Sequence, residues 1–271
     1  MTPIDRYFVK KSFSAGARTY DQYAGLQHEM NVRLIERFCP DTVQPSRILD
    51  IGIGTGSLAI KLLQRFPRAA LYGCDLAYAM LQQARARLQQ IHAEHTTIAA
   101  DAEQLPFTSC SFELAATAFT FQWLDDWSLA VQEVHRVLTP GGVFLFSAFG
   151  AQTFHELRAS YGAACAETGY DRGEALKLST TAESVKASLA GGRFSDVHVE
   201  TLEQVSFYSS VNELVRAIKG MGARNASARR NKTAGVRTVW NRMTLHYKKT
   251  FGSPSGIPAT FEIIMGSARR I

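Results

Sequence analysis

The sequence predicts an α/β protein built on a mostly parallel sheet with helices on both faces. Three observations predict it. Short apolar runs alternate with segments of helical period from Arg47 to Phe149; a loop with glycine at every second position follows the first run; and three successive runs end in or just before an acidic residue.

Each element follows from local pattern. Between Gln22 and Phe38, the residues Leu26, Met30, Leu34 and Phe38 recur every four positions, which gives a helix one apolar side, and Pro40 ends it. Arg47 to Ile51 is then a strand, Ser57 to Phe66 a helix, and Ala70 to Cys74 a strand. Tyr78 to Ile91 is a helix with Met80, Leu81, Ala84 and Leu88 on one side. Thr96 to Ala100 and Phe112 to Phe119 are strands, and Asp126 to Leu138 is a helix. Gly142 to Phe149 is a strand after the turn Pro140-Gly141-Gly142. Beyond Gly150, Thr153 to Thr168 and Thr181 to Ala190 read as helices, and Asp196 to Val205 and Ala259 to Ala268 as strands.

Strands joined by helices of this length are crossover units, so the core is Rossmann-like and its ligand belongs outside the carboxyl ends of the strands, where strand order switches. The punctuation divides the chain into an N-terminal helical lid over 1–45 and a core over 46–213 and 256–271. A basic helical insertion over 214–255 precedes the last strand.

Composition narrows the class. With 271 residues, 46% hydrophobic and 20% charged, the chain is an ordinary globular protein. Its longest apolar stretch, Val143 to Ala151, is about half of the ~20 residues a membrane span needs, and the start carries charges without an apolar signal core. No membrane association is expected, and the location expected is cytoplasmic. The four cysteines form no CxxC pair, so reduced thiols are expected. The seven histidines are scattered, and no metal site is expected.

Charge is unevenly placed. The net charge is +6, yet from Leu214 through Phe261 there is no Asp or Glu, while ten basic residues fall there, leaving the remainder at −4. Arg216, Lys219, Arg224, Arg229, Arg230, Lys232, Arg237, Arg242, Lys248 and Lys249 therefore make a segment suited to an acidic partner.

The loop after the first strand reads Asp50-Ile51-Gly52-Ile53-Gly54-Thr55-Gly56. Glycines let a ligand lie against backbone and approach the helix N-terminus. The spacing is Gly-x-Gly-x-Gly, not the dinucleotide Gly-x-Gly-x-x-Gly, and no phosphate-binding lysine follows. A carboxylate at Asp50 would repel a pyrophosphate, so it points to an adenosine cofactor with a cationic amino-acid end. Asp75, about twenty residues on, suits both ribose hydroxyls. Asp101 suits an adenine amino group, with the Ala102 backbone beside the ring and Leu76 and Met80 as apolar walls.

These stretches, together with Ala100-Asp101-Ala102-Glu103-Gln104-Leu105-Pro106-Phe107 and His135-Arg136-Val137-Leu138-Thr139-Pro140-Gly141-Gly142, resemble class I S-adenosylmethionine-dependent methyltransferases over about residues 45–150. Three outlying stretches narrow the likeness: Phe13-Ser14-Ala15-Gly16-Ala17-Arg18-Thr19-Tyr20-Asp21, Ile218-Lys219-Gly220-Met221-Gly222-Ala223-Arg224-Asn225 and Ile257-Pro258-Ala259-Thr260-Phe261-Glu262. With Phe121-Gln122-Trp123, they resemble the malonyl-acyl-carrier-protein O-methyltransferase family of biotin synthesis along nearly the whole chain. The chain departs from that pattern at Ile53, Ala118 and Phe261, where the family usually has Cys, often Asn, and commonly Tyr.

The resemblance implies a mixed, mostly parallel seven-stranded sheet and methyl transfer from S-adenosylmethionine to the free carboxylate of a malonyl thioester. It adds Ala118 and Phe119 to the cofactor residues. A malonyl carboxylate is already ionised at neutral pH and needs no general base, so no catalytic residue is expected beyond positioning. Tyr20 is the first choice to hold the carboxylate, the alternative for it being packing of the lid. Arg224 is the second, with solvation in the basic segment as its alternative. Gln122 and Trp123 line the pocket mouth, or Trp123 anchors the core.

The acidic partner implied is an acyl carrier protein docked on Arg229, Arg230, Lys232, Arg237 and Arg242. Nucleic acid competes for that role, but no aromatic residue interleaves with the basic ones between Gly220 and Arg237. An RNA or small-molecule methyltransferase with this core, and a respiratory-complex assembly factor, stay as alternatives.

Overall fold

Each apolar run between Arg47 and Phe149 becomes a strand in one sheet, described with the rest of the chain by a computed structural model over residues 4–170, 178–222 and 236–271. The strands are β1 Arg47–Ile51, β2 Ala70–Asp75, β3 His95–Ala99, β4 Phe112–Ala118, β5 Leu138–Phe149, β6 Phe194–Tyr208 and β7 Ile257–Arg270. They are ordered β3-β2-β1-β4-β5-β7-β6. The first five pair in parallel, and β7 runs antiparallel to both β5 and β6. Strand order reverses between β1 and β4, so the loops after these two strands flank the crevice where a ligand enters.

The helices are α1 Arg6–Gly16, α2 Gly25–Phe38, α3 Ser57–Arg65, α4 Tyr78–Gln90, α5 Ser128–Val137, α6 His155–Thr168, α7 Ala182–Gly191, α8 Val211–Gly220 and α9 Val236–Phe251. Alternation along the strands sorts side chains onto two cores. Ile48, Leu114 and Leu145 pack on one face with Met30 and Leu34 of α2, Leu62 of α3 and Leu81 of α4. Leu49, Ile51, Ala115, Phe144 and Phe146 pack on the other with Val131 and Val134 of α5 and Leu189 of α7. Burying each such side chain fully is worth about 1.5–3 kcal/mol, and this two-sided burial fixes the register on which the site depends.

The elements depart from local expectation where long-range pairing decides. The helix expected from Gln22 begins at Gly25, because Tyr20–Gln22 forms a separate 3-10 turn. β6 and β7 outrun the expected 196–205 and 259–268 because they pair with each other from Phe194↔Arg270 to Tyr208↔Ile257. β5 starts at Leu138, since the Pro140-Gly141-Gly142 turn is an irregularity inside it, between the pairs Phe112↔Leu138 and Leu114↔Val143.

An antiparallel β6–β7 pair tolerates a long excursion between its strands, and α8 and α9 lie in it. α9 is anchored by Val239, Met243 and Tyr247, whose hydroxyl donates to the Pro258 carbonyl at 2.6 Å. Of the ten basic residues, Arg224, Arg229, Arg230 and Lys232 lie outside the described residues. Among the described residues no helix is long and apolar enough to cross a membrane.

Candidate active site

The β1–α3 turn is shaped by what a side chain would strike there. Gly52 has φ +72°, and a Cβ on it would stand 2.1 Å from Thr120 Oγ1, in the loop after β4. Gly54, at φ +55°, lines the crevice. Gly56 does a different job: at φ +86° it caps α3 and lets Ala84 of α4 approach to 3.4 Å of where its Cβ would be. It lines none of the three cavities described below.

One cavity at the strand ends encloses about 800 Å³ with its open mouth, a size suited to a small-molecule ligand. Gly52, Gly54, Asp75, Leu76, Met80, Asp101, Ala102, Ala118 and Phe119 line it, as do Tyr20 and Trp123. Asp75 is held by its own backbone surroundings: its carboxylate accepts from Gly54 N at 3.0 Å and from Ala77 N at 2.7 Å. Each oxygen keeps a further acceptor site, which two ribose hydroxyls can use. Burial pushes Asp75 up to about 6, and the two N–H donors limit that rise.

Asp101 has a neighbour that sequence reasoning missed. Its Oδ1 accepts from Glu103 N at 3.0 Å, and its Oδ2 accepts from Arg6 Nη1 at 2.6 Å. Arg6 also pairs with Glu103, so α1 is pinned across the Asp101 end of the cavity. The loop beyond Asp101 is set from α5. Arg136 donates to the carbonyls of Leu105 at 2.9 Å and Phe107 at 2.6 Å, while Glu133 accepts from Leu105 N at 2.7 Å.

Asp50 lines a second cavity, of about 360 Å³, with Gln27, Asn31, Gly52, Gly54 and Phe119. It is 1% exposed, and its Oδ2 has no hydrogen-bond partner. Burial first and the Asp75 charge second push its carboxyl up to about 8. A cationic amino-acid end beside it supplies the missing donor and charge, while Gly52 keeps the wall open. On these grounds the residues fit an S-adenosylmethionine-type cofactor. Among the described residues no group of three or more His, Cys, Asp or Glu side chains gathers as a metal site.

The third cavity, about 430 Å³, is apolar: Phe13, Phe119, Phe149, Phe154, Leu178 and Met221 line it with Tyr20, Gln27, Gln122 and Trp123. Gln122 is anchored, its Oε1 accepting from Phe149 N at 3.0 Å. Trp123 packs edge-on to Phe13 at 5.6 Å, and its indole N–H is buried without a partner. Phe119 and Phe154 hold left-handed backbones at φ +53° and +56°, costly for non-glycine residues and typical of positions whose surroundings over-determine them.

Tyr20 and Phe119 line all three cavities, so the three spaces meet at these two side chains. Burial and the charges of Asp21 and Asp75 push the Tyr20 hydroxyl well above its ordinary range, which keeps it a neutral donor. Asp21 itself is clamped: it accepts from Thr55 Oγ1 at 2.8 Å and from Arg87 Nη1 at 3.0 Å. Arg224 lies outside the described residues.

Comparison with known proteins agrees with this geometry. A family model for a methyltransferase domain matches residues 48–142. The chain is 38% identical over 267 residues to a malonyl-[acyl-carrier protein] O-methyltransferase of Geobacter sulfurreducens, covering 98% of this chain and 100% of that protein. It is 35% identical to one from Halorhodospira halophila, covering 98% and 88%. Among solved structures, the YcgJ protein from Bacillus subtilis superposes with a TM-score of 0.61 at 19% identity, covering 89% of this chain and 98% of that one. A Haemonchus contortus phosphoethanolamine N-methyltransferase bound to S-adenosylhomocysteine superposes with a TM-score of 0.59 at 20% identity, covering 95% and 57%. These structural likenesses establish the shared fold.

Proposed function

The chain belongs to the malonyl-[acyl-carrier protein] O-methyltransferase family, and from that premise we propose how its own residues carry out methyl transfer to the free carboxylate of a malonyl thioester. S-Adenosylmethionine, when bound, supplies an electrophilic methyl group on a sulfonium. A carboxylate oxygen forms the new bond to that methyl, the electrons of the sulfur–methyl bond stay with sulfur, and the products are a methyl ester and S-adenosylhomocysteine. No proton moves, so this chain has only to bind, orient and exclude water. The ester has lost the malonyl charge, which suits it to chain elongation toward biotin.

The observation that carries this reading is the place of Tyr20 and Phe119 at the junction of the three cavities. In the proposed arrangement Asp75, Asp101, Ala102, Leu76, Met80 and Ala118 hold the adenosine, and Asp50 with Gly52 and Gly54 holds the amino-acid end. Gly56 supports the loop from behind. The Tyr20 hydroxyl, the Trp123 indole N–H and the Gln122 amide donate to the malonyl carboxylate. Among the described residues no Lys or Arg lines the apolar cavity. Neutral donors there orient the nucleophile without quenching its charge as a buried ion pair does. Arg224, three residues beyond the cavity-lining Met221, is the proposed second contact to the substrate.

The proposed partner is the acidic acyl carrier protein named for the relatives, met by the basic segment. Arg237 and Arg242 lie on α9, and Arg242 is partly neutralised by Glu167 at 3.6 Å. Arg229, Arg230 and Lys232 belong to the same proposed surface by sequence. The four free thiols fit a cytoplasmic setting. The deciding experiment supplies methyl-labelled S-adenosylmethionine with malonyl-acyl carrier protein, malonyl-coenzyme A or bulk RNA. Label in a base-labile ester on a malonyl thioester is expected; label in RNA alone, or cofactor binding without any ester, overturns the proposal.

A further inference from the structure

Two polar residues missed by sequence reasoning share the Asp50 cavity. Gln27 and Asn31 stand four apart on α2, 5% and 4% exposed, in line with the buried Leu34, Ile35 and Phe38. A buried polar pair in an apolar helix stripe costs free energy unless something satisfies it. Each amide spends its NH2 group on a neighbour: Asn31 Nδ2 donates to Ser57 Oγ at 3.3 Å, and Gln27 Nε2 to Met221 Sδ at 3.2 Å. Their oxygens, Gln27 Oε1 and Asn31 Oδ1, are left buried without partners, as is Asp50 Oδ2. All three residues line one cavity.

Three unpartnered acceptors around one space call for a group that only donates, carries positive charge, and has several N–H bonds. A primary ammonium has three such bonds and no acceptor, whereas a water donates two and an anion none. We propose that Asp50, Gln27 and Asn31 together form the receptor for the α-ammonium of S-adenosylmethionine, two of its three acceptors coming from the N-terminal helix α2 and one from the sheet.

This deepens the cofactor reading and rests on it. Because the ammonium bridges sheet and helix, bound cofactor fastens α2 to the strand ends. Gln27, which also lines the apolar cavity, then stands between the cofactor's amino end and the substrate space.

Calorimetric titration of the full chain separates the two readings, using S-adenosylhomocysteine, its desamino analogue (which keeps the carboxylate) and 5′-methylthioadenosine (which lacks the whole amino-acid end). Wild type should bind S-adenosylhomocysteine much more tightly than the desamino analogue. Asn31→Leu and Gln27→Leu should each weaken S-adenosylhomocysteine about tenfold or more, the scale of one hydrogen bond to a charged group, and leave the other two ligands within about twofold. Asn31→Asp, which keeps an oxygen in place, should retain the preference for the amine. Equal weakening of all three ligands, or unchanged S-adenosylhomocysteine binding, in both Leu variants overturns the receptor while leaving the cofactor standing. Failure of every ligand to bind wild type overturns both.

Discussion

Thr55 of the glycine loop donates its hydroxyl to Asp21 Oδ1 at 2.8 Å, and so the segment carrying Tyr20 is tied directly to the loop proposed to hold the cofactor. Arg87 of α4 closes the same clamp on Asp21 Oδ2 at 3.0 Å. His28 adds a third contact at 3.2 Å, and together these partners pull the Asp21 carboxyl below its ordinary range despite the opposing burial. The clamp is partly exposed, so its worth to global stability is small. Its consequence is local: it sets where the neighbouring Tyr20 hydroxyl stands.

Asp21→Ala should therefore lower kcat/KM for the malonyl thioester about tenfold while changing Tm little. If Asp21 acts by holding Tyr20, its loss adds little in a Tyr20→Phe background, because coupled residues are not additive. Steady-state kinetics of the two single variants and the double variant measure the coupling. Full additivity of the losses would refute the link.

The buried Asp50 carboxyl predicts a pH dependence. It is pushed up to about 8 in the folded protein, against about 3.9 in an unfolded chain. Between those values the folded protein keeps a proton that the unfolded chain has released, so stability falls as pH rises across that window. Asp75, pushed up to about 6, adds to the fall in its lower part. Thermal melts of the ligand-free protein should show Tm declining from about pH 5 to 8, with a shallower decline in Asp50→Asn. A cationic cofactor favours the ionised carboxylate, so the rise in Tm on adding S-adenosylmethionine should grow with pH over the same range. A wild-type Tm that climbs there, or an Asp50→Asn profile identical to wild type, contradicts the assignment.

Gly52→Ala meets two separate penalties. The backbone sits at φ +72°, and the new Cβ would overlap Thr120 Oγ1 at 2.1 Å and Thr120 Cβ at 2.7 Å. The left-handed conformation alone costs a side chain about 1–2 kcal/mol. The variant should lose measurable binding of S-adenosylhomocysteine, and adding Thr120→Gly should recover part of the stability by removing the overlap while leaving the backbone penalty. Denaturant melts give both quantities. No recovery in the double variant would mean that the overlap is relieved in some other way.

How much of this was legible in the sequence depends on the range over which each feature is determined. The strands and the Asp50, Asp75 and Asp101 ends were legible because strand period and loop chemistry are local. The extra end residues of β6 and β7 were not, since those ends are set by the distant pairs Tyr208↔Ile257 and Phe194↔Arg270. Arg6 and Asp21 were missed for the same reason: their partners, Asp101 and Thr55, stand 95 and 34 residues away. Gln27 and Asn31 did leave a trace, as polar residues four apart that line up with the apolar stripe of α2, but helical period marks only the hydrophobic members of such a stripe.

Charge on α9 gives the last expectation. Arg237 and Arg242 are exposed there, far in sequence from the cofactor loop, and Arg242 already shares Glu167 with His246. Of the two, Arg237 is the better probe, because it makes no ion pair among the described residues. Rim charges act mainly on encounter, raising association rates at low salt and losing that effect as ions screen them. Arg237→Glu should then raise KM for malonyl-acyl carrier protein severalfold at low ionic strength, with the difference from wild type shrinking as salt is added. KM for S-adenosylmethionine should stay unchanged, and so should the rate with malonyl-coenzyme A, which offers no acidic protein surface. Equal losses on both thioesters would place the effect in the catalytic cavity, and no loss on either would remove α9 from the docking surface.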